Sequence, residues 1–292
     1  MIKQSPVQAY RDACNTLQEI QESYDEPRYL ERIRAHMLVL QSCFEHLRQA
    51  ANDSEDPAVW HALGNAYNTR MGTERDPEQG IKWLRRAADV GYAPAMVSLG
   101  LRWLNPKPSA DAAAAIQWFR KAAELGYDGG MVFLGFAYRE GDGVACDHAE
   151  AVRWFTKAVD AGDAHSMIHV GRMYAGYMSS PAQALPWFLR AAEAGLTESY
   201  IWLADLYANP KSEVYNPTEA HKWYRIVAEH SEGTHGRALL AIAHQYLDGT
   251  GVPCDINTAK LWLRRLLQAV PEKSSTHRDA TKLLAKLEDQ FL

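Results

Sequence analysis

Long apolar runs are missing from this chain. The most conspicuous, Gly129 to Tyr138, spans ten residues, about half of what a helix needs to cross a bilayer. No membrane insertion is therefore expected. The N-terminus, MIKQSPVQAYRDACNTLQEIQ, lacks the apolar stretch and cleavage site of a secretory leader, so the protein is expected in the cytoplasm, or in the periplasm should a leader have been removed. Cysteine is scarce: four in 292 residues do not make a disulfide framework. Cys146 and Cys254 stand eight residues before a Trp each, but far apart in sequence; Cys14 and Cys43 read as small buried residues. Positive charge is not in excess. A formal net charge of −5 argues against nucleic acid as a partner.

Catalytic signatures are missing too. There is no HExxH, phosphate loop, dinucleotide fingerprint, nucleophile elbow or S-x-x-K. No catalytic residue, cofactor or metal is assigned, and the chain reads as a non-enzyme. His165 and His169 are four apart, a spacing that lets two imidazoles face one way, but no third ligand lies nearby in sequence and His244 is far along the chain. A histidine pair on a partner-facing helix is the reading preferred.

What the chain does have is a repeat. Leu134-Gly135 followed by Trp154 recurs as Leu63-Gly64 with Trp83, Leu99-Gly100 with Trp118, Val170-Gly171 with Trp187, Leu203-Ala204 with Trp223, and Ile242-Ala243 with Trp262, at a period of 33 to 39 residues. An aromatic stands three beyond the Gly or Ala each time: Tyr67, Trp103, Tyr138, Tyr174, Tyr207 and Tyr246. Both halves of a unit space apolar and small residues as helices do. Met131, Leu134 and Tyr138 share one face of a first helix, where Gly135 lets a neighbour approach. Ala151, Trp154, Phe155 and Ala158 form the stripe of a second, with Trp154 as its expected buried anchor. Gly141-Asp142-Gly143-Val144 makes the turn, Asp147 caps the second helix, and Gly162 closes the unit. Length changes are expected in turns. The Gly-to-Trp distance falls from 18 or 19 residues to 16 in the fourth copy.

A tetratricopeptide array would repeat every 34 residues or so. The slightly longer unit here, L-G-x-x-Y, then G-x-G-V, then A-x-x-W-[FY]-x-x-A-A-x-x-G, resembles the Sel-one-like repeat. Two copies keep the whole turn, Gly141 to Val144 and Gly249 to Val252. The resemblance implies an all-α fold: a right-handed α-solenoid of about six helix-turn-helix repeats with helical caps. Residues 1–56 would be N-terminal capping helices, 57–269 the six repeats and 270–292 a C-terminal capping helix. Ser5-Pro6 starts a helix to about Tyr24, Pro27 restarts the chain, and a helix from about Arg28 to Ala51 follows. The last helix is expected from His277 to Phe291. Proline-containing loops at Asn105-Pro106-Lys107-Pro108 and from Asn209-Pro210 to Asn216-Pro217 replace the glycine turn in repeats two and five. Repeats five and six are joined by the longer His230-Ser231-Glu232-Gly233-Thr234-His235-Gly236.

Functionally, the resemblance implies a scaffold for a protein or peptide partner. Family members include adaptors and bacterial immunity proteins that neutralise secreted phospholipase toxins, so an effector or such a toxin is a partner to consider. A cysteine-rich branch linked to penicillin-like compounds leaves a small-amide hydrolase as the alternative, although its paired cysteines are absent. In related arrays the first helices line the concave groove. Counting from the Leu of the motif, the candidate partner-binding residues are Asn65, Asn68, Leu101, Leu104, Phe133, Phe136, Arg139, Glu140, His165, His169, Arg172, Trp202, Asp205 and His244. Several are large and apolar although the repeat does not require them. Either they pack on one another in a tight groove, or they form a stripe of binding hot spots.

Overall fold

The computed structural model describes residues 5–22, 29–69, 72–104, 111–230 and 235–289. Pro27, Phe291, the Asn105 to Pro108 turn and the Ser231 to Thr234 loop lie outside the described residues. Those that are described form fifteen α-helices and one π-helical turn, with no strand among them. The fold is all-α, of the α-solenoid class.

By its contacts the chain divides into two compact units, Met1–Ala161 and Gly162–Leu292. The first opens with the hairpin α1 (Pro6–Glu22) and α2 (Tyr29–Asp53), then has α3 (Pro57–Thr69) with α4 (Pro77–Asp89), α5 (Ala93–Leu104) with α6 (Ala112–Glu124), and α7 (Asp128–Glu140) with α8 (His148–Asp160). In the second, α9 (Ser166–Arg172) runs into the π turn Met173–Tyr177 and pairs with α10 (Pro181–Glu193). Two further hairpins follow, α11 (Glu198–Ala208) with α12 (Pro217–His230) and α13 (Gly236–Asp248) with α14 (Ile256–Ala269), and α15 (Ser275–Asp289) covers the last of them. Within each unit a second helix packs on its own first helix and on the next one.

Four of the hairpins are closed by one backbone bond in the same register. The carbonyl of the motif Tyr accepts the N–H of the residue that caps the second helix: Asp76 N to Tyr67 O, Asp147 to Tyr138, Asn216 to Tyr207 and Asp255 to Tyr246, at 2.8 to 3.1 Å. The cap's side chain then turns inward. Asp147 accepts from Glu150 N at 3.0 Å, and Asp255 accepts from Asn257 N and Thr258 N, supplying acceptors for orphan donors of the first helical turn. Gly141 and Gly249 make the preceding bend with φ of 79° and 68°, a left-handed conformation that glycine adopts without a Cβ clash. In the fourth repeat Ser180 N meets Tyr174 O at 2.8 Å across only six residues instead of nine. The missing three residues are taken up by the π turn, in which Met178 N reaches back to Met173 O.

The packing centre differs from expectation. Trp154 and its counterparts are half-buried. The residue after each Trp is the buried one: Leu84, Phe119, Phe155, Phe188 and Leu263 are 0% exposed and Tyr224 6%. In the first four repeats those side chains fill the notch left by the motif Gly. A Cβ at Gly100, Gly135 or Gly171 would lie 2.3 to 2.6 Å from the ring of Phe119, Phe155 or Phe188. The Trp is pushed toward the rim, where a basic residue three positions on lies over it: Arg86 on Trp83, Lys121 on Trp118, Lys157 on Trp154, Arg190 on Trp187 and Arg265 on Trp262, at 4.0 to 5.4 Å. In the fifth repeat Ile226 stands there, and Trp223 meets Tyr200 at 5.6 Å. On α2, Leu40, Phe44 and Leu47 are buried, whereas Met37 is 38% exposed.

Phe155→Ala should cost about 3–5 kcal/mol and Trp154→Ala clearly less. Gly135→Ala should cost about 1–3 kcal/mol by overpacking, and adding Phe155→Leu should recover part of that loss. Urea unfolding of the singles and the double would check this. Strict additivity, or a larger loss for Trp154→Ala than for Phe155→Ala, would refute the notch.

Candidate protein-interaction surface

In the first unit the candidates on α7 come together. Phe133 stacks on Phe119 of α6, with centroids 5.1 Å apart and planes 19° from parallel. Phe136 meets the edge of Phe133 at 6.2 Å and of Phe155 at 5.2 Å. The Arg139 guanidinium lies 4.8 Å over Phe136 while pairing with Glu140 at 2.7 Å. Both phenylalanines are only half-buried, so the strip has an aromatic body with a charged end. On α5, Leu101 is 39% exposed, whereas Leu104 packs on the core. Asn68 turns toward α4, so close that a Cβ on Gly80 would lie 2.8 Å from its Oδ1. Its side chain is oriented toward its own second helix.

The second unit repeats the theme with different residues. Trp202 of α11 stacks on Phe188 of α10 at 5.9 Å with planes 6° apart, and Arg172 of α9 lies 5.2 Å over the same indole. Asp205 accepts from the Tyr224 hydroxyl at 2.8 Å and forms an ion pair with Arg237; burial pushes Tyr224 up to about 12. His165 and His169 part company. His165 stands before the first turn of α9, exposed, 4.0 Å from Asp163, while His169 is half-buried in the helix. His244 is exposed on α13. Among the described residues no three His, Cys, Asp or Glu are grouped to hold a metal ion.

Two polar bridges were not foreseen. His61 Nε2 lies 2.9 Å from Ser98 Oγ and 3.0 Å from Asn65 Nδ2, linking α3 to α5. His221, 7% exposed, lies with Nδ1 3.0 Å from Gln245 Oε1, linking α12 to α13. Burial lowers both histidines, His61 to about 4 with help from Arg11, and His221 by desolvation against a hydrogen bond to Gln245 that opposes it. Gln245 did carry a signal. Four of its five equivalents, Ala66, Ala137, Met173 and Leu206, are apolar and buried, Arg102 of the second repeat being the exception, so a buried polar residue in that register needs a partner. The four cysteines are free thiols, and Cys146 and Cys254 donate to the equivalent carbonyls of Arg139 and Leu247 at 3.2 and 3.3 Å.

An array of helical hairpins whose first helices carry half-buried aromatics beside charged groups is a protein-interaction scaffold. The Sel1 repeat profile matches residues 61–92, 93–127, 129–163, 164–196, 197–231 and 236–268, and the chain belongs to the Sel1 repeat family. Among solved structures it is similar to a Sel1 repeat protein from Oxalobacter formigenes, at 24% identity and a TM-score of 0.57 over 87% of this chain and 96% of that one. A protective antigen of uropathogenic Escherichia coli displaying an SLR fold is 20% identical, with a TM-score of 0.54 over 90% of this chain and 68% of that one. The C-terminal part of a TPR repeat-containing protein from Cytophaga hutchinsonii is 14% identical, with a TM-score of 0.57 over 93% and 98%. These likenesses show the shared fold. No curated protein matches the chain. No helix among the described residues is long and apolar enough to cross a membrane.

The buried imidazole makes stability depend on pH. His61 falls from an ordinary 6.5 to about 4 in the folded chain, so below pH 6.5 the unfolded chain binds a proton that the folded one refuses. Stability present at neutral pH is lost as pH falls from 6.5 to 4, by at most ~3 kcal/mol from this group. Urea midpoints at pH 7 and pH 4 should therefore converge more for the His61→Gln variant than for the parent. The same pH dependence in both would show that His61 is not held neutral by burial.

Proposed function

We propose that this chain is a non-enzymatic binding protein that captures one protein partner on the face of its first helices. In a bacterium it would act as an adaptor or as an immunity protein that neutralises a secreted toxin, a phospholipase among the candidates. The repeats within 57–269 would present the surface, with the flanking helices shielding their ends. One observation carries the reading: Phe133, Phe136 and Trp202 stay half-exposed although each already packs on a core ring, and each strip ends in an arginine. Aromatic anchors beside charged groups are how interfaces combine affinity with selectivity. The hydrolase alternative has less support. Ser98 Oγ does approach His61 Nε2, but Asn65 shares that nitrogen and no carboxylate among the described residues orients the other.

With a partner captured by affinity purification and titrated against purified variants, Phe136→Ala and Trp202→Ala should each weaken binding by about 2 kcal/mol or more. Lys222→Ala, on an exposed residue of α12 paired with Glu219, should cost little. Melting curves are needed alongside, because each aromatic also stacks on the core. Wild-type affinity in stable aromatic variants, with loss in the Lys222 variant, would move the binding surface to the second helices.

A further inference from the structure

A cleft between α1 and α3 gathers hydrogen-bond donors and no acid. Its cavity of about 200 Å3 is lined by Val7, Arg11, Cys14, His61, Asn65 and Tyr92, among others. No carboxylate lines it among the described residues, in a chain with 36 acidic side chains. Arg11 is exposed and forms no ion pair with any described residue. A lone surface cation means little. Here it stands beside an imidazole whose Nε2 is met by Asn65 Nδ2, which as oriented can only donate, and by the Ser98 hydroxyl; in that arrangement Nε2 accepts and the ring proton sits on Nδ1. No described residue accepts that proton. The cavity is also smaller than the roughly 300–1,000 Å3 of sites for drug-sized ligands, which leaves room for a single side chain and not for a nucleotide.

We propose that this cleft binds the carboxylate of an Asp or Glu side chain presented by the protein partner, with Arg11 as counter-ion, His61 Nδ1–H as a neutral donor and Val7 and Ala62 against the methylene carbons. The assignment rests on the reading that the chain captures a protein partner. Arg offers a planar fork to a carboxylate, and a neutral imidazole adds a donor without a second charge to desolvate.

The test uses the full chain with 15N-labelled histidine, following the His61 ring signals, identified by their loss in His61→Gln, during titration with Ac-Gly-Glu-Gly-NH2, its Gln counterpart and sodium propanoate. The Glu peptide should give saturable shifts. The Gln peptide should bind at least about tenfold more weakly, and Arg11→Met should weaken the Glu peptide by a similar factor, the size of one lost hydrogen bond to a charged group, with its melting temperature unchanged. Arg11→Lys should fall between. Equal binding of the two peptides, no saturable shift, or indifference to Arg11→Met would overturn the proposal. Saturable propanoate binding with the Glu peptide excluded would overturn the side-chain source and assign the cleft to a free acid. These titrations need no partner protein, so they can fail while the Phe136 and Trp202 variants still lose the partner, and the reverse also holds.

Discussion

The fit of one side chain into a missing Cβ holds the hairpins of the first four repeats together. Where the first helix carries Gly100, Gly135 or Gly171, the second helix presents Phe119, Phe155 or Phe188, and ring and backbone touch. At Gly64 the partner is Leu84, and where the small residue is Ala204 or Ala243 the partners are Tyr224 and Leu263. The other repeat residues arrange themselves around this contact. The preceding Trp is displaced to the rim and covered by a cation, and Phe133 and Trp202 find the buried rings of the preceding hairpin to stack on.

The second constraint is backbone closure. Because the motif Tyr carbonyl holds the capping N–H of the next helix, the connection between them can change composition freely: GDGV in the third repeat and a Pro-bounded loop in the fifth reach the same closure. Shortening is costlier. With three residues fewer, the fourth repeat reaches Ser180 only by widening its last turn into a π turn and placing Ser179 at φ 49°, a left-handed conformation uncommon outside glycine. Glu213 then supplies the acceptor that Ser180 does not, taking a hydrogen bond from Ala182 N at 3.1 Å.

The surface that remains for a partner is what these constraints leave over. Packing on a core ring orders Phe133, Phe136 and Trp202 in advance, which in the proposed role would lower the entropy lost on binding. The arginines above Phe136 and Trp202 hold the same rings from the outer side. On the proposed reading, a tight first-helix face and a binding stripe would be the same residues seen from their two sides.

Repeat count, helical hairpins, turn glycines and the capping Asp147 were legible from residue order alone, because each depends on contacts within a few positions or on a period repeated many times. The anchor of the core was not. Trp154 and Phe155 are neighbours on one helical stripe, and size favours the Trp. Only the notch at Gly135, on another helix, decides that a flat ring one position later goes inside. Asn68 and Phe136 are likewise both in candidate register, and the approach of α4 turns one inward while the other stays half-exposed. The bridge from His61 to Ser98 spans 37 positions, and the cleft at Arg11 needs α1 folded beside α3. Local sequence determined the elements; which side chains remain open to a partner was decided by how neighbouring helices share space.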